Sequence, residues 1–506
     1  MNAAVYVVEG AFSAALVFVG LVFLRGVGID GVARYVLAFV TGALVYVAAL
    51  VLLVATDLPS TPSVALLVGL FVAVAVRLAT RGRRFHGLAA GFGTRVGLLR
   101  DGAVSLGVAV LVAIALPAVD RVTYIKHVDS FEYIAISGML TARSLDEGVS
   151  LFQFQKRQLV VPALHAPARY ADAFYLRSVS PAIAVSTLLF MVFVVASART
   201  GRSAAPPWPW SAAVALVGVA LLVTHNRFVM HAFYVNGHLF YALLSLVVAG
   251  AAWLVARRSV AAVAGWSTVA GLAMAVLQVT RVEAFLLSTA LLLAVLTSTR
   301  IPILFKATTL AGYGLGVVVW HGYLVRLGVS GTDVLGPLGV GILSLVVLAT
   351  LRRTEPLLVS YGRWLRTLYV AGLLAVLGVL VLQAPAIMRD SWSAFIENAV
   401  TFDGYWGVGL LSLAAVTLLA ALLLRDRDRV LIGLPIIAFL PHAFLIAYLR
   451  DAAYRVGGGD SLNRMLIQVV PLMVMFVVVS LQAVHSRGVP LGSTAAVDDA
   501  REVPTP

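Results

Sequence analysis

Cysteine is absent from the 506 residues. Its absence excludes disulfide staples in external loops, thiolate metal sites and a cysteine nucleophile, so carboxylates, histidines and arginines must carry any chemistry. Charge is scarce too. Asp, Glu, Lys and Arg make up 12% of the chain against 61% hydrophobic residues, and the mean hydropathy is +0.99, more apolar than a chain that must cover itself with polar surface. Once the apolar stretches are set aside, no polar segment is long enough to form a soluble catalytic domain. The first apolar run begins a few residues from Met1 with no basic leader and no convincing cleavage site, and reads as a retained helix.

The chain has instead a succession of apolar stretches of about 17 to 22 residues, each able to cross roughly 30 Å of hydrocarbon as a helix. They are apolar all round, as in Val36 to Ala55, whereas membrane strands would read as short alternating segments. The expected fold is all-α, a polytopic integral membrane protein of about fifteen transmembrane helices. The spans are placed at 5–24, 35–55, 63–79, 102–119, 179–198, 211–224, 238–256, 261–279, 284–298, 307–323, 336–351, 367–385, 407–424, 430–449 and 464–482. Residues 1–101 form N-terminal transmembrane helices without an assigned role, 102–485 a membrane catalytic module, and 486–506 a disordered cytoplasmic tail.

The net charge of +14 is unevenly distributed. With the N-terminus outside, one face collects 23 of the 37 basic and 8 of the 23 acidic residues, net +15, and leaves −1 for the other. The positive-inside rule makes the basic face cytoplasmic. The high pI then reports orientation and anionic lipid headgroups, with no nucleic acid implied. The cytoplasmic linkers read as short and bland. Six of the nine histidines, and the segments HVDSFEYIA, THNRFVMHAFYVNGH, VTRVEAF and YLRDAAYRVGGGDSLNR, fall on the extracytoplasmic side.

Residues 120–178 form the longest segment between spans. From Phe131 the spacing of Phe131, Ile134, Ala135, Gly138 and Met139 predicts an amphipathic external helix lying on the membrane. Asp129 stands just before it at an N-cap position, and a second external helix is expected over 168–177. Two positions apart, Arg281 and Glu283 cannot pair on one helical face. Arg143, Arg169 and Arg177 read as headgroup contacts, and His321 and His442 as helix-end or core residues.

An external loop opening with Asp-x-x-x-Tyr (HVDSFEYIA) and followed by QKRQLVVPAL resembles the first external loop of the GT-C superfamily of membrane glycosyltransferases. YVNGHLFYALL, TRVEAFLL and GDSLNRMLIQVVPLMVMF resemble later segments of that family, in family order across about residues 120–480. The resemblance implies a GT-C-like fold and transfer of a sugar from a polyprenyl-phosphate donor to a glycan, lipid or protein acceptor at the extracytoplasmic face. A lipid phosphate leaves without protonation, so one carboxylate suffices as base. Asp129 is assigned that role, with Glu132 as the neighbour that tunes it or orients the acceptor. The donor phosphate and substrate fall to Lys156, Arg157, His225, Arg227, Asn236, His238, Arg281, Glu283, Arg455 and Arg464, because a departing anion needs cations and donors already in place. No cofactor and no metal site are assigned, and a divalent cation is left as an option. Asp129, Glu132, His225 and His238 are the groups that would hold a divalent cation if one is used. The alternatives are a transporter or flippase of lipid-linked sugars, and a surface-glycan polymerase or ligase.

Overall fold

The computed structural model describes residues 3–81, 90–124, 128–142, 158–197, 208–400, 402–423 and 427–488. Among these the chain is all-α, its sole extended pairing an isolated bridge between Tyr124 and Tyr234. Eleven helices are long and apolar enough to cross a membrane, twelve if Pro209–Val223 and Asn226–Ala232, bent by 80°, count as one broken span. The protein is therefore a multi-pass membrane protein with fewer full-length spans than the apolar runs suggest. The expected segments 261–279, 284–298 and 407–424 fold as the shorter helices Val263–Leu277, Ala284–Leu296 and Val408–Leu422. At 1.5 Å per residue a 15-residue helix covers only about 22 Å. The expected span 261–279 runs into Gln278 and Val279, which the backbone spends on the turn that continues to Glu283.

The N-terminal helices Ala3–Gly26, Gly31–Ala55, Pro62–Arg81 and Ala90–Val122 pack on one another and share one hydrophobic core with the rest of the chain. Two glycines set the closest crossing. A Cβ on Gly20 would lie 1.8 Å from the Ala38 carbonyl oxygen, and one on Gly42 would lie 1.7 Å from that of Leu16. Such backbone contact is how small residues drive helix association where lipid removes the hydrophobic incentive. Gly42→Ala is expected to force the pair apart and to cost about 1–3 kcal/mol. The check is thermal unfolding in detergent, and an unchanged midpoint would contradict the packing.

These helices also hold the long segment between residues 120 and 178. The Tyr46 hydroxyl donates to Ala163 O at 2.9 Å. The fully buried Glu9 carboxylate accepts the backbone N–H groups of Arg177 at 2.7 Å and Ser178 at 2.8 Å, at the start of helix Val179–Ser197. Arg177 pairs with Asp120 and Glu9, so it is a structural clamp; the headgroup reading fails because two carboxylates face it. Arg169 lies over the Phe174 ring at 5.5 Å.

The opposite end of the bundle is not bland. Asp101, fully buried, is flanked by Arg25 Nη2 at 3.0 and 2.9 Å and by Arg34 Nη2 at 3.2 Å. Asp428 likewise holds Arg257 at 3.1 Å and Arg300 at 2.6 Å. Asp101 ties its own helix to the turn over residues 25–34, and Asp428 joins Arg257 to the half-exposed Arg300. Gly362–Gln383 and Gly97–Val122 are by contrast mostly exposed, as apolar helices that face lipid must be.

Candidate functional site

Helix Val128–Ala142 forms as expected but presents its faces differently. Phe131 and Ala135 are exposed, while Asp129, Ser130, Tyr133, Ile134 and Ser137 are buried. The hydroxyls explain this: Ser130 Oγ donates to Val235 O at 2.8 Å and Ser137 Oγ to Pro162 O at 2.9 Å. A polar stripe can turn inward where each donor meets a carbonyl. Asp129 lies in the first turn of the helix, not ahead of it. The second helix of this segment is Val160–His165 with a 3-10 turn Ala166–Ala171, earlier than the expected 168–177. Pro162 and Pro167 stand in first turns, where a missing N–H costs nothing.

Asp129 Oδ2 accepts from Arg464 Nη1 at 2.5 Å, both residues being about 95% buried. Arg464 lies on the one-turn helix Ser461–Met465, whose N-cap Asp460 accepts the backbone N–H groups of Leu462 and Asn463. One turn after Asp129, the Tyr133 hydroxyl accepts from Arg281 Nη1 at 3.2 Å. Arg281 and Glu283 do form a buried ion pair. The bar on such spacing holds only on a helix, and residues 278–283 are a turn. Burial alone would depress the Arg281 guanidinium; Glu283, Tyr133 and Asp129 together outweigh that and raise it.

Arg227, on helix Asn226–Ala232, donates from Nε to Gly404 O and from Nη2 to Gly458 O, each at 2.6 Å, with the Tyr405 ring at 5.3 Å. It is 3% exposed and forms no ion pair among the described residues. Arg464 is near enough to repel it. Tyr405 takes φ +58, a conformation unusual for a side-chain-bearing residue.

Asn236 Oδ1 accepts the His238 backbone N–H at 2.9 Å, opening helix His238–Ala256. The His238 ring meets Gln468 at 2.9 Å through Nδ1. Gln468 reaches a small cavity of about 20 Å³ lined also by Tyr241, Ser245, Leu287, Phe439 and Leu472. His225 is buried with its ring against Trp406. Asp129, Tyr133, Arg227, Asn236, His238, Arg281, Glu283 and Arg464 thus belong to one end of the bundle. Glu132 is half-buried, one residue before Tyr133 and beside the buried stripe that carries Asp129. Arg455 is exposed, so its guanidinium is not part of the buried cluster; the backbone is what the fold uses, its N–H donating to Asp460 and its carbonyl accepting from Asn398. Lys156 and Arg157 lie outside the described residues, as does Arg143. Among the described residues no three His, Asp or Glu side chains come together as a metal site. Of the expected cation ligands, His225 Nδ1 is taken by Leu221 O and His238 Nδ1 by Gln468. His321 and His442 are buried within helices, as read.

Sequence reasoning passed over Tyr133 and Gln468. Each stands four residues after an assigned ion, Asp129 or Arg464, the spacing that places two side chains on one helical face.

His165, at the end of helix Val160–His165, accepts the Leu176 N–H at Nδ1, 3.2 Å away, and burial pushes it down to about 3. The folded loop therefore keeps a neutral imidazole, whereas the unfolded chain gains a proton near pH 6.5. Its contribution to stability is complete above about pH 6.5 and falls as pH drops toward 3, by up to about 1.4 kcal/mol per pH unit. Thermal unfolding at pH 7.5 and 5.0 is expected to show this loss, and His165→Asn, which retains an acceptor, to flatten it. Equal slopes for both proteins would exclude His165 as the source.

No family model matches the chain, and neither the curated proteins nor the solved structures contain a significant match.

Proposed function

We propose that the protein is an inverting GT-C-like glycosyltransferase that takes a sugar from a polyprenyl-phosphate donor at the extracytoplasmic membrane face and passes it to a cell-envelope glycan, lipid or protein acceptor. The observation that carries this reading is the buried cluster itself. Among the described residues, three guanidinium groups, Arg227, Arg281 and Arg464, stand with two equally buried carboxylates, Asp129 and Glu283. Uncompensated buried charge is costly, and an incoming phosphate would balance it. The donor supplies that phosphate together with a chain soluble in lipid.

The acceptor oxygen attacks the anomeric carbon as its proton passes to Asp129. The bond from that carbon to the phosphate oxygen breaks, and its electron pair leaves with polyprenyl phosphate. No acid is needed on the leaving side, because the arginines, fixed in advance, stabilise the anion as it forms. The orientation is the one the charge bias implies, with the N-terminus outside.

Purified protein in lipid nanodiscs, given radiolabelled polyprenyl-phosphate sugars and envelope extracts, is expected to label an acceptor and release polyprenyl phosphate. The bent pair Pro209–Val223 and Asn226–Ala232 favours one rival, a flippase, because transporters build sites at broken helices. In proteoliposomes that rival would move the lipid-linked sugar across the bilayer and transfer nothing.

A further inference from the structure

Asp129 and Arg464 create a difficulty that also suggests its solution. An ion pair of 2.5 Å between groups about 95% buried occupies the oxygen that would receive the acceptor proton. The same guanidinium is one of those the donor phosphate needs. Arg227, its neighbour in charge, has Nε and Nη2 committed to the carbonyls of Gly404 and Gly458, so it is fixed. Arg464 is held otherwise by a longer bond, from Nε to Asp460 O at 3.3 Å, on a helix of five residues.

We propose that Arg464 is a shared positioning residue, bonded to Asp129 before the donor arrives and passed to the donor phosphate when it binds, so that the base is released only once the leaving group is seated. This rests on the glycosyltransferase reading and adds an order of events. The phosphate enters beside the fixed charge of Arg227 and draws Arg464 by a charge-assisted bond as strong as the one it gives up. Asp129 Oδ2 is then open to an acceptor hydroxyl. Donor binds first and acceptor second, and an acceptor that arrives alone meets a carboxylate already engaged.

The test is a double-mutant cycle on binding, with polyprenyl phosphate as the probe in nanodiscs. Asp129→Asn removes the competing negative charge and leaves Arg464 only a weaker, neutral acceptor, and it is expected to tighten binding about tenfold, the scale by which a charge-assisted hydrogen bond exceeds a neutral one. Arg464→Gln is expected to weaken it by a similar factor. In the Arg464→Gln background, Asp129→Asn should have no further effect. If it tightens binding equally in both backgrounds, Asp129 merely repels the phosphate and the shared role is overturned. A second measurement uses the unaltered protein. Its cryo-EM structure with polyprenyl phosphate should show the Asp129 to Arg464 separation opened beyond hydrogen-bond range, and an intact pair would overturn the proposal. If the wild-type protein binds no polyprenyl phosphate, it is the glycosyltransferase reading that falls. Binding with an additive cycle removes only the inference drawn here.

Discussion

Asp129→Asn is expected to reduce sugar transfer by about 10²- to 10⁴-fold, the usual contribution of a positioned general base. The substitution retains the shape of the side chain and an oxygen that can accept from Arg464, so helix Val128–Ala142 should stay seated through Ser130, Tyr133 and Ser137. The loss should therefore appear in kcat, with donor KM unchanged or lower. Asp129→Ala should lose as much activity and in addition leave the Arg464 guanidinium buried without its carboxylate. Glu132→Gln is expected to have the smaller effect, since Glu132 is only half-buried whereas Asp129 is buried. Steady-state transfer with wild type and the three variants, normalised to folded protein, decides the matter. Wild-type turnover by Asp129→Asn would remove Asp129 as the base.

The second large effect concerns stability at the far end of the bundle. Asp101→Ala would leave Arg25 and the 3%-exposed Arg34 facing each other without the carboxylate they share. Removing one partner of a buried ionic group typically costs about 3–5 kcal/mol, because the remaining charge stays desolvated. Replacing the whole group by apolar residues often costs nothing. Asp101→Ala should therefore lower the unfolding midpoint sharply, and the triple change Arg25→Met, Arg34→Met, Asp101→Leu should recover most of it. A loss below about 1 kcal/mol for the single variant would show the charges reaching water.

Much of this architecture was legible in residue order. Apolar runs located the crossing helices because lipid demands that each span bury its own backbone polar groups. Ala3–Gly26, Gly31–Ala55, His238–Ala256 and Val430–Leu449 begin and end within a few residues of the expected limits. Apolar runs overcount full spans where the helix is short, as at Val263–Leu277 and Val408–Leu422, since hydropathy cannot tell a crossing helix from a shorter one buried in protein. The face of helix Val128–Ala142 that turns inward was misjudged for a related reason. Ser130 and Ser137 count as polar, yet each ends on a carbonyl supplied by a segment 105 or 25 residues away.

Composition and pattern by themselves determined that this is a multi-pass helical membrane protein, because the cost of exposing polar groups to hydrocarbon is local and is read one segment at a time. Only the tertiary structure decided that Asp129 would find Arg464, 335 residues later in the chain, and that Asp101 and Asp428 would each gather two arginines. Ion pairing depends on which helix ends become neighbours, and helix packing settles that.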